Sequence, residues 1–388
     1  MEIQPAPRPS SKAWVDWVAG HIHDPVTRLR FLQTIAPPPE WASPRTWRLR
    51  RVLSRAVLFP LVLTLCVVQS GNRPPAVPKR IRQIVSARPS GTPAASTVWL
   101  VETNGNSENY SNGLRIDNRF LTSNHARSYL VFPVRSGSKT PGTHRTDPAG
   151  IVFHSTQSRQ VPFEPGQNGA LKKIGESLLE YVQRKRAYHF VIDRFGRVFR
   201  VVAESDSANH AGYSVWSDDE WLYVNLNQSF LGIAFESQNH PAQDEPEVSP
   251  AQVRAAGMLI EMLRARYGIA ADHCVTHAQV SVNPSNMQVG YHTDWASGFP
   301  FEALGLPDNY ARPLPAIGTF GFEYNPEFLQ WAGHRLGAAV QAAEAAVVQA
   351  AEEAGVSPRM YRKSLENHYR GLLGAVRRAN SSESSDAE

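Results

Sequence analysis

The 388-residue sequence predicts an α/β domain, a mixed β-sheet flanked by helices, over residues 147–305. Three observations carry that prediction. Short apolar runs end abruptly in polar residues, as in Gly150-Ile151-Val152-Phe153 before His154 and Phe230 to Phe235 before Glu236, which is how strands deliver side chains to a sheet edge. Between them lie helical patterns, with Leu171, Ile174, Leu178 and Val182 on one face of a helix expected over Gly169 to Arg186. A second helix opens at Ser249-Pro250 and stops at Gly268, the cap-then-proline start and glycine stop that helices favour. Strands alternating with helices place parallel and antiparallel strands in one sheet.

Taken in order, the chain begins with a basic, proline-containing segment, residues 1–55, in which nine Lys/Arg face four acids. Five arginines between 45 and 55 precede the uncharged apolar run Ala56 to Val68. A positive flank before an apolar run reads as an export signal or membrane anchor over 56–70, so the remainder is expected outside the cytoplasm, in the cell envelope, periplasm or extracellular space. Residues 71–96 form a proline-rich linker that cannot build a core. Val98 to Val101, Leu114 to Ile116 and Tyr129 to Phe132 are short strand candidates, grouped as a small β extension over 97–146. Within 147–305, Tyr188 to Ile192 and Arg197 to Val201 flank the turn Asp193 to Gly196 as a hairpin, and Cys274 to His277 is a further strand. Residues 306–379 carry a linker and a helical hairpin: an Ala-rich helix from Asn325-Pro326 to Ala354, then a helix from Ser357-Pro358 to about Arg378. Phe328, Leu336, Val340, Ala343 and Val347 form its apolar stripe, expected to pack as core, and 380–388 reads as a disordered, solvated tail.

Composition excludes several classes. The net charge of +5 equals the excess held by residues 1–55, so the folded part is balanced and lacks the basic surface that tracks phosphates; no nucleic-acid partner is expected. Two cysteines, Cys66 and Cys274, exclude a disulfide framework. Nothing in the pattern calls for an oligomer, and a monomer is expected.

The chemistry is placed between Val275 and Trp295 together with His154. His154 follows one strand, His277 follows another, and Asp294 lies 17 residues beyond His277. Two histidines and an aspartate can hold one zinc ion and leave a fourth position for water, as a hydrolytic zinc requires. His273, four before His277, is the local competitor for that role. At strand spacing the two are about 13 Å apart, too far to share an ion.

Six short motifs then occur in a fixed order: His154; Ala187 to Ile192 with its turn; His210-Ala211-Gly212; Asn227 to Ile233; His277; and Thr293-Asp294. Together they resemble the zinc N-acetylmuramoyl-L-alanine amidases of type 2, a family that includes phage lysins, bacterial anhydro-muropeptide amidases and animal peptidoglycan recognition proteins. The resemblance covers roughly 147–305. It implies Zn2+ on His154, His277 and Asp294, with Tyr188 beside the metal, and a peptidoglycan substrate cut between N-acetylmuramic acid and L-alanine. His189 and His210 fall in the substrate cleft or behind the ligands. A peptidoglycan-binding module without catalysis and a zinc amidase acting on another acyl-peptide are the alternatives.

Two departures from the family pattern matter. Several members have glutamate where this chain has Ala234, and the acid here, Glu236, comes two positions later, about 7 Å along a strand. Tyr188 is therefore expected to assist rather than Glu236. His292 stands where lysine is common, and is expected to donate to the developing oxyanion with Tyr188. The wide gap before Asp294 implies an inserted loop, Val282 to Gly290, folded away from the metal.

Overall fold

The computed structural model describes residues 97–134, 141–240 and 248–385. The basic segment, the 56–70 run and the linker to residue 96 lie outside the described residues. Among the described residues no helix is long and apolar enough to cross a membrane.

Eight strands form the main sheet: β1 (Leu100–Asn104), β2 (Ser107–Tyr110), β3 (Arg115–Asp117), β6 (Gly150–Ser155), β7 (Phe190–Ile192), β8 (Val198–Arg200), β11 (Phe230–Phe235) and β12 (Cys274–Thr276). Their order is β1-β2-β3-β8-β7-β11-β6-β12. The last four, β7, β11, β6 and β12, run parallel, whereas β7 and β8 pair antiparallel as the expected hairpin. This is the mixed sheet that the alternating pattern predicts. All six residues of β6 are buried, as befits a parallel strand covered on both faces.

The 97–146 segment is not a separate β extension. β1 to β3 continue the main sheet, joined to it by β3 against β8. The others, β4 (Tyr129–Pro133) and β5 (Thr143–Arg145), enter a second, four-stranded sheet of order β5-β4-β10-β9 with β9 (Val215–Ser217) and β10 (Trp221–Val224). One partner of β4, β10, and its neighbour β9 thus come from a stretch rich in Trp and Asp that reads in sequence as a loop, because its strands are too short to show a period.

Helix α1 (Asn168–Lys185) covers one face of the main sheet, and α2 (Pro250–Tyr267) belongs to the core on the other. α1 buries Leu171, Gly175, Leu179 and Val182, a stripe one residue round from the expected one, and Leu179 and Val182 pack with Val191, Phe199 and Ala234. α2 starts in a capping box, Ser249 Oγ accepting from Gln252 N while Gln252 Oε1 accepts from Ser249 N. The helical hairpin is present with a break. The Ala-rich helix is interrupted at Ala332–Gly333, where Gly333 has φ +57, giving α3 (Pro326–Trp331) and α4 (Gly333–Glu353). α5 (Pro358–Ser385) extends into the stretch that reads in sequence as a tail. The stripe Phe328, Leu336, Val340, Ala343 and Val347 is buried in the main core, as expected from its spacing.

The inserted loop folds as a small hairpin, β13 (Val282–Asn283) with β14 (Gln288–Val289). It is held to the segment before α3 by Val289 N to Glu323 O and Glu323 N to Met287 O, each 2.8 Å.

Candidate metal centre

Parallel strands of an open α/β sheet present their carboxyl ends as a ligand-binding edge. Here His154 is the penultimate residue of β6, and β12 hands the chain to a one-turn helix that starts at His277. Asp294 returns beside them, its backbone carbonyl accepting from Ala278 N at 3.1 Å. One ligand atom from each of His154, His277 and Asp294 lies within 4.8 Å of the other two, and this is the only such group of three among the described residues. Both histidines are buried.

Asp294 faces both rings, with Oδ2 3.1 Å from His154 Nδ1 and Oδ1 2.8 Å from His277 Nδ1. The tautomer of His154 follows from what lies behind it. His210 Nε2 is 3.1 Å from the carbonyl of Phe230, which can only accept, so this nitrogen carries the proton. His210 Nδ1 then accepts from His154 Nε2, 3.1 Å away, and His154 Nδ1 is left with a bare lone pair. Burial, then the neighbouring His277, pulls the His154 pKa down to about 4, so this ring is neutral at pH 7. Burial opposes the charge on Asp294, but the neighbouring His277 outweighs it and holds the carboxyl well below its ordinary range. A lone pair and a carboxylate oxygen therefore face each other at 3.1 Å with no proton between them. That arrangement is repulsive unless a cation sits between, and an imidazole with a hydrogen-bonded far nitrogen is how proteins orient a metal ligand. The three residues fit a zinc ion.

The motif residues around the triad have physical roles that their order alone did not disclose. Asn227 Oδ1 accepts from three successive backbone N–H groups, those of His210, Ala211 and Gly212, at 2.8, 2.7 and 2.7 Å, and so sets the His210 loop. Gly232 is required by close approach, since a Cβ there would lie 2.6 Å from His210 Cγ. His210 thus backs His154, a candidate ligand, rather than lining a cleft. His189 is fully buried behind it, accepting from Gly232 N at 2.9 Å through Nδ1, and does not line a cleft. His273 is held elsewhere, by Ala149 O at 2.8 Å and Asp218 at 3.2 Å.

Tyr188 has φ +63, an uncommon backbone state for a bulky residue, and its ring centroid is 4.9 Å from that of His154. Burial, then Asp294, raises its pKa, so the phenol keeps its proton and remains a donor. His292 lies nearly flat on His277, with centroids 4.7 Å apart and planes at 21°, and its backbone N–H donates to Ser281 Oγ at 2.9 Å.

Glu236 does not join the cluster. Its carboxylate accepts from Arg194 N at 3.2 Å and lies under α1, 3.5 Å from where a Cβ on Gly175 would sit. Burial, with Asp193 adding to it, pushes its pKa up to about 7. A carboxyl whose folded pKa is raised contributes stability at low pH that is lost as pH rises from about 4.5 through 7. The loss is on the order of 3 kcal/mol. Glu236→Gln keeps an acceptor for Arg194 and is expected to remove most of that loss. Denaturant unfolding of both proteins at pH 5 and pH 8 measures it, and an equal change in the two would refute the assignment.

Residues 144–294 match the family model described as N-acetylmuramoyl-L-alanine amidase. No protein of curated function matches the chain. Similar solved structures include the amidase AmiD from E. coli, at 20% identity over 62% of this chain and 92% of that one, with a TM-score of 0.34. AmpDh3 from Pseudomonas aeruginosa is 20% identical over 44% of this chain, with a TM-score of 0.31, and the match spans only 62% of that protein's length. The Drosophila peptidoglycan recognition protein SD is 17% identical over 37% of this chain and 79% of its own, with a TM-score of 0.24. By the family match over 144–294, in the order of motifs that the sequence displays, this part of the chain is an amidase domain of the type 2 N-acetylmuramoyl-L-alanine amidase family.

Proposed function

We propose that the domain is a zinc-dependent peptidoglycan hydrolase that cuts the amide between the lactyl group of N-acetylmuramic acid and L-alanine. The observation that carries the zinc reading is the unprotonated contact between His154 Nδ1 and Asp294 Oδ2. The substrate is inferred from the family match and from the neighbours' bound compounds: AmiD is described with anhydro-N-acetylmuramic acid-L-Ala-D-γ-Glu-L-Lys and AmpDh3 with an anhydromuramic pentapeptide.

His154, His277 and Asp294 would hold the ion, and His210 would keep His154 turned toward it. When bound, zinc supplies a water acidified to a pKa near ~7 and polarises the scissile carbonyl. The chain's own contribution is donors aimed at the charge that develops on that carbonyl oxygen: the protonated Tyr188 phenol and His292.

A second reading, a binding module without turnover, is favoured by one observation. Glu236 is engaged under α1, so Asp294 is the only carboxylate in the cluster, and among the described residues no second acid joins it to move the proton of the attacking water. Digestion of purified peptidoglycan separates the two. Hydrolysis releases new L-alanine amino termini without new reducing sugars, in proportion to zinc content. Binding with no released termini at full zinc occupancy would leave the second reading standing.

A further inference from the structure

Tyr291 is the outermost of three contacting rings that begin at the metal cluster. His292 lies on His277, and the Tyr291 ring stands edge-on to His292, with centroids 4.7 Å apart and planes at 80°. Two ring-to-ring steps therefore separate it from a proposed ligand. Its side chain is 49% exposed, although aromatic side chains ordinarily bury most of their surface.

The loop holds the ring outward. Gly290 N donates to Ser281 O at 2.8 Å, and His292 N donates to Ser281 Oγ at 2.9 Å, so the backbone is pinned on both sides of Tyr291. Gly290 has φ +75, and Phe328 of α3 fills the space where its Cβ would be, 2.1 Å away. The helical hairpin thus braces the loop, and the tyrosine is presented rigidly beside the centre.

We propose that Tyr291 is a specificity-determining residue, a platform on which the pyranose ring next to the scissile amide stacks. The inference rests on the amidase reading and names where its sugar lies. The direction is read from the sheet. β12 is the last of the four parallel strands, and Tyr291 is reached from its end through His277 and His292. Past the ends of β6 and β11 lie Thr156, Gln157 and Asn239, whose amide and hydroxyl groups suit an extended peptide. The stem peptide opens with alanine, whose methyl covers little of an aromatic ring. A pyranose offers a whole face of C–H groups, which an exposed tyrosine ring covers well.

The test compares the full-length wild type, Tyr291→Ala and Tyr291→Phe on two substrates: a disaccharide muropeptide, and a D-lactoyl-L-alanyl peptide that keeps the scissile amide and lacks the sugar. Tyr291→Ala is expected to raise KM for the muropeptide about 10-fold with kcat little changed, and to match wild type on the lactoyl peptide. Tyr291→Phe should behave as wild type on both. Equal losses on the two substrates, or a fall in kcat alone, would mean that the ring acts only by packing His292, and the platform is overturned. Binding is read separately by calorimetry with the disaccharide N-acetylglucosaminyl-N-acetylmuramic acid, which has no bond for the enzyme to cut. Weaker binding in Tyr291→Ala supports the platform even in a protein that cleaves nothing, an outcome that would refute the amidase reading alone. Disaccharide binding that is absent in the wild type, or equal in wild type and variant, overturns the platform.

Discussion

Asp294→Ala is expected to lose both its zinc and its activity, the latter by well over ~100-fold. Changing an outer partner of a metal ligand costs about 10–100-fold in affinity or activity, and removing a ligand outright exceeds that. Asp294 is the severest of the three because it alone brings negative charge, and because its two oxygens face His154 and His277 at 3.1 and 2.8 Å. Without it, two imidazoles converge on a buried space with nothing to hold a dication against desolvation. His154→Ala and His277→Ala are expected to follow the same pattern. His273→Ala should keep its metal, since that ring is tied to Ala149 and Asp218. Metal analysis of the purified variants, alongside peptidoglycan digestion, measures both effects. Full zinc occupancy in His277→Ala would sink the ligand set.

His292→Ala is expected to lower kcat by about 10²–10³ with KM less affected. A donor whose contact strengthens only as charge develops on the substrate is felt in kcat, and removing one such donor costs about that much. The geometry supports the role, because His292 is stacked on His277 and its loop is pinned by Ser281 and by Phe328 against Gly290. His292→Lys should retain much of the activity by restoring a donor. Steady-state kinetics on a soluble muropeptide decides it. A near-normal kcat in His292→Ala would reduce the residue to a packing neighbour of His277 and leave Tyr188 as the donor.

Much of this was legible along the chain. β6 with His154 near its end, α1, the β7–β8 hairpin, β11, α2 with its Ser249 cap, and β12 before His277 each announce themselves by local means. Alternation, helical spacing and turn residues act over a few residues, and the energies that set them are local. His154 and His277 were legible as candidates for the same reason, since each sits at or just past the end of a strand, whereas Asp294 lies in a turn that no local period marks.

What the sequence could not decide were pairings between distant segments. Nothing local says that β1 to β3 extend the main sheet or that β4 takes β10 as its neighbour, because strand pairing is a contact across sequence separation. The same holds for the centre. Thirteen histidines are equivalent in composition, but only the fold sets His210, 56 residues away, behind His154 with its own far nitrogen on Phe230 O, and so determines which nitrogen of His154 is bare. It also draws Glu236 under α1, turns Tyr291 outward against the brace of Phe328, and breaks the Ala-rich helix where Gly333 packs on Ser297. Burial and hydrogen-bond partners are properties of the assembled interior, where low dielectric gives them their energy, and a chain read residue by residue contains the groups without their surroundings.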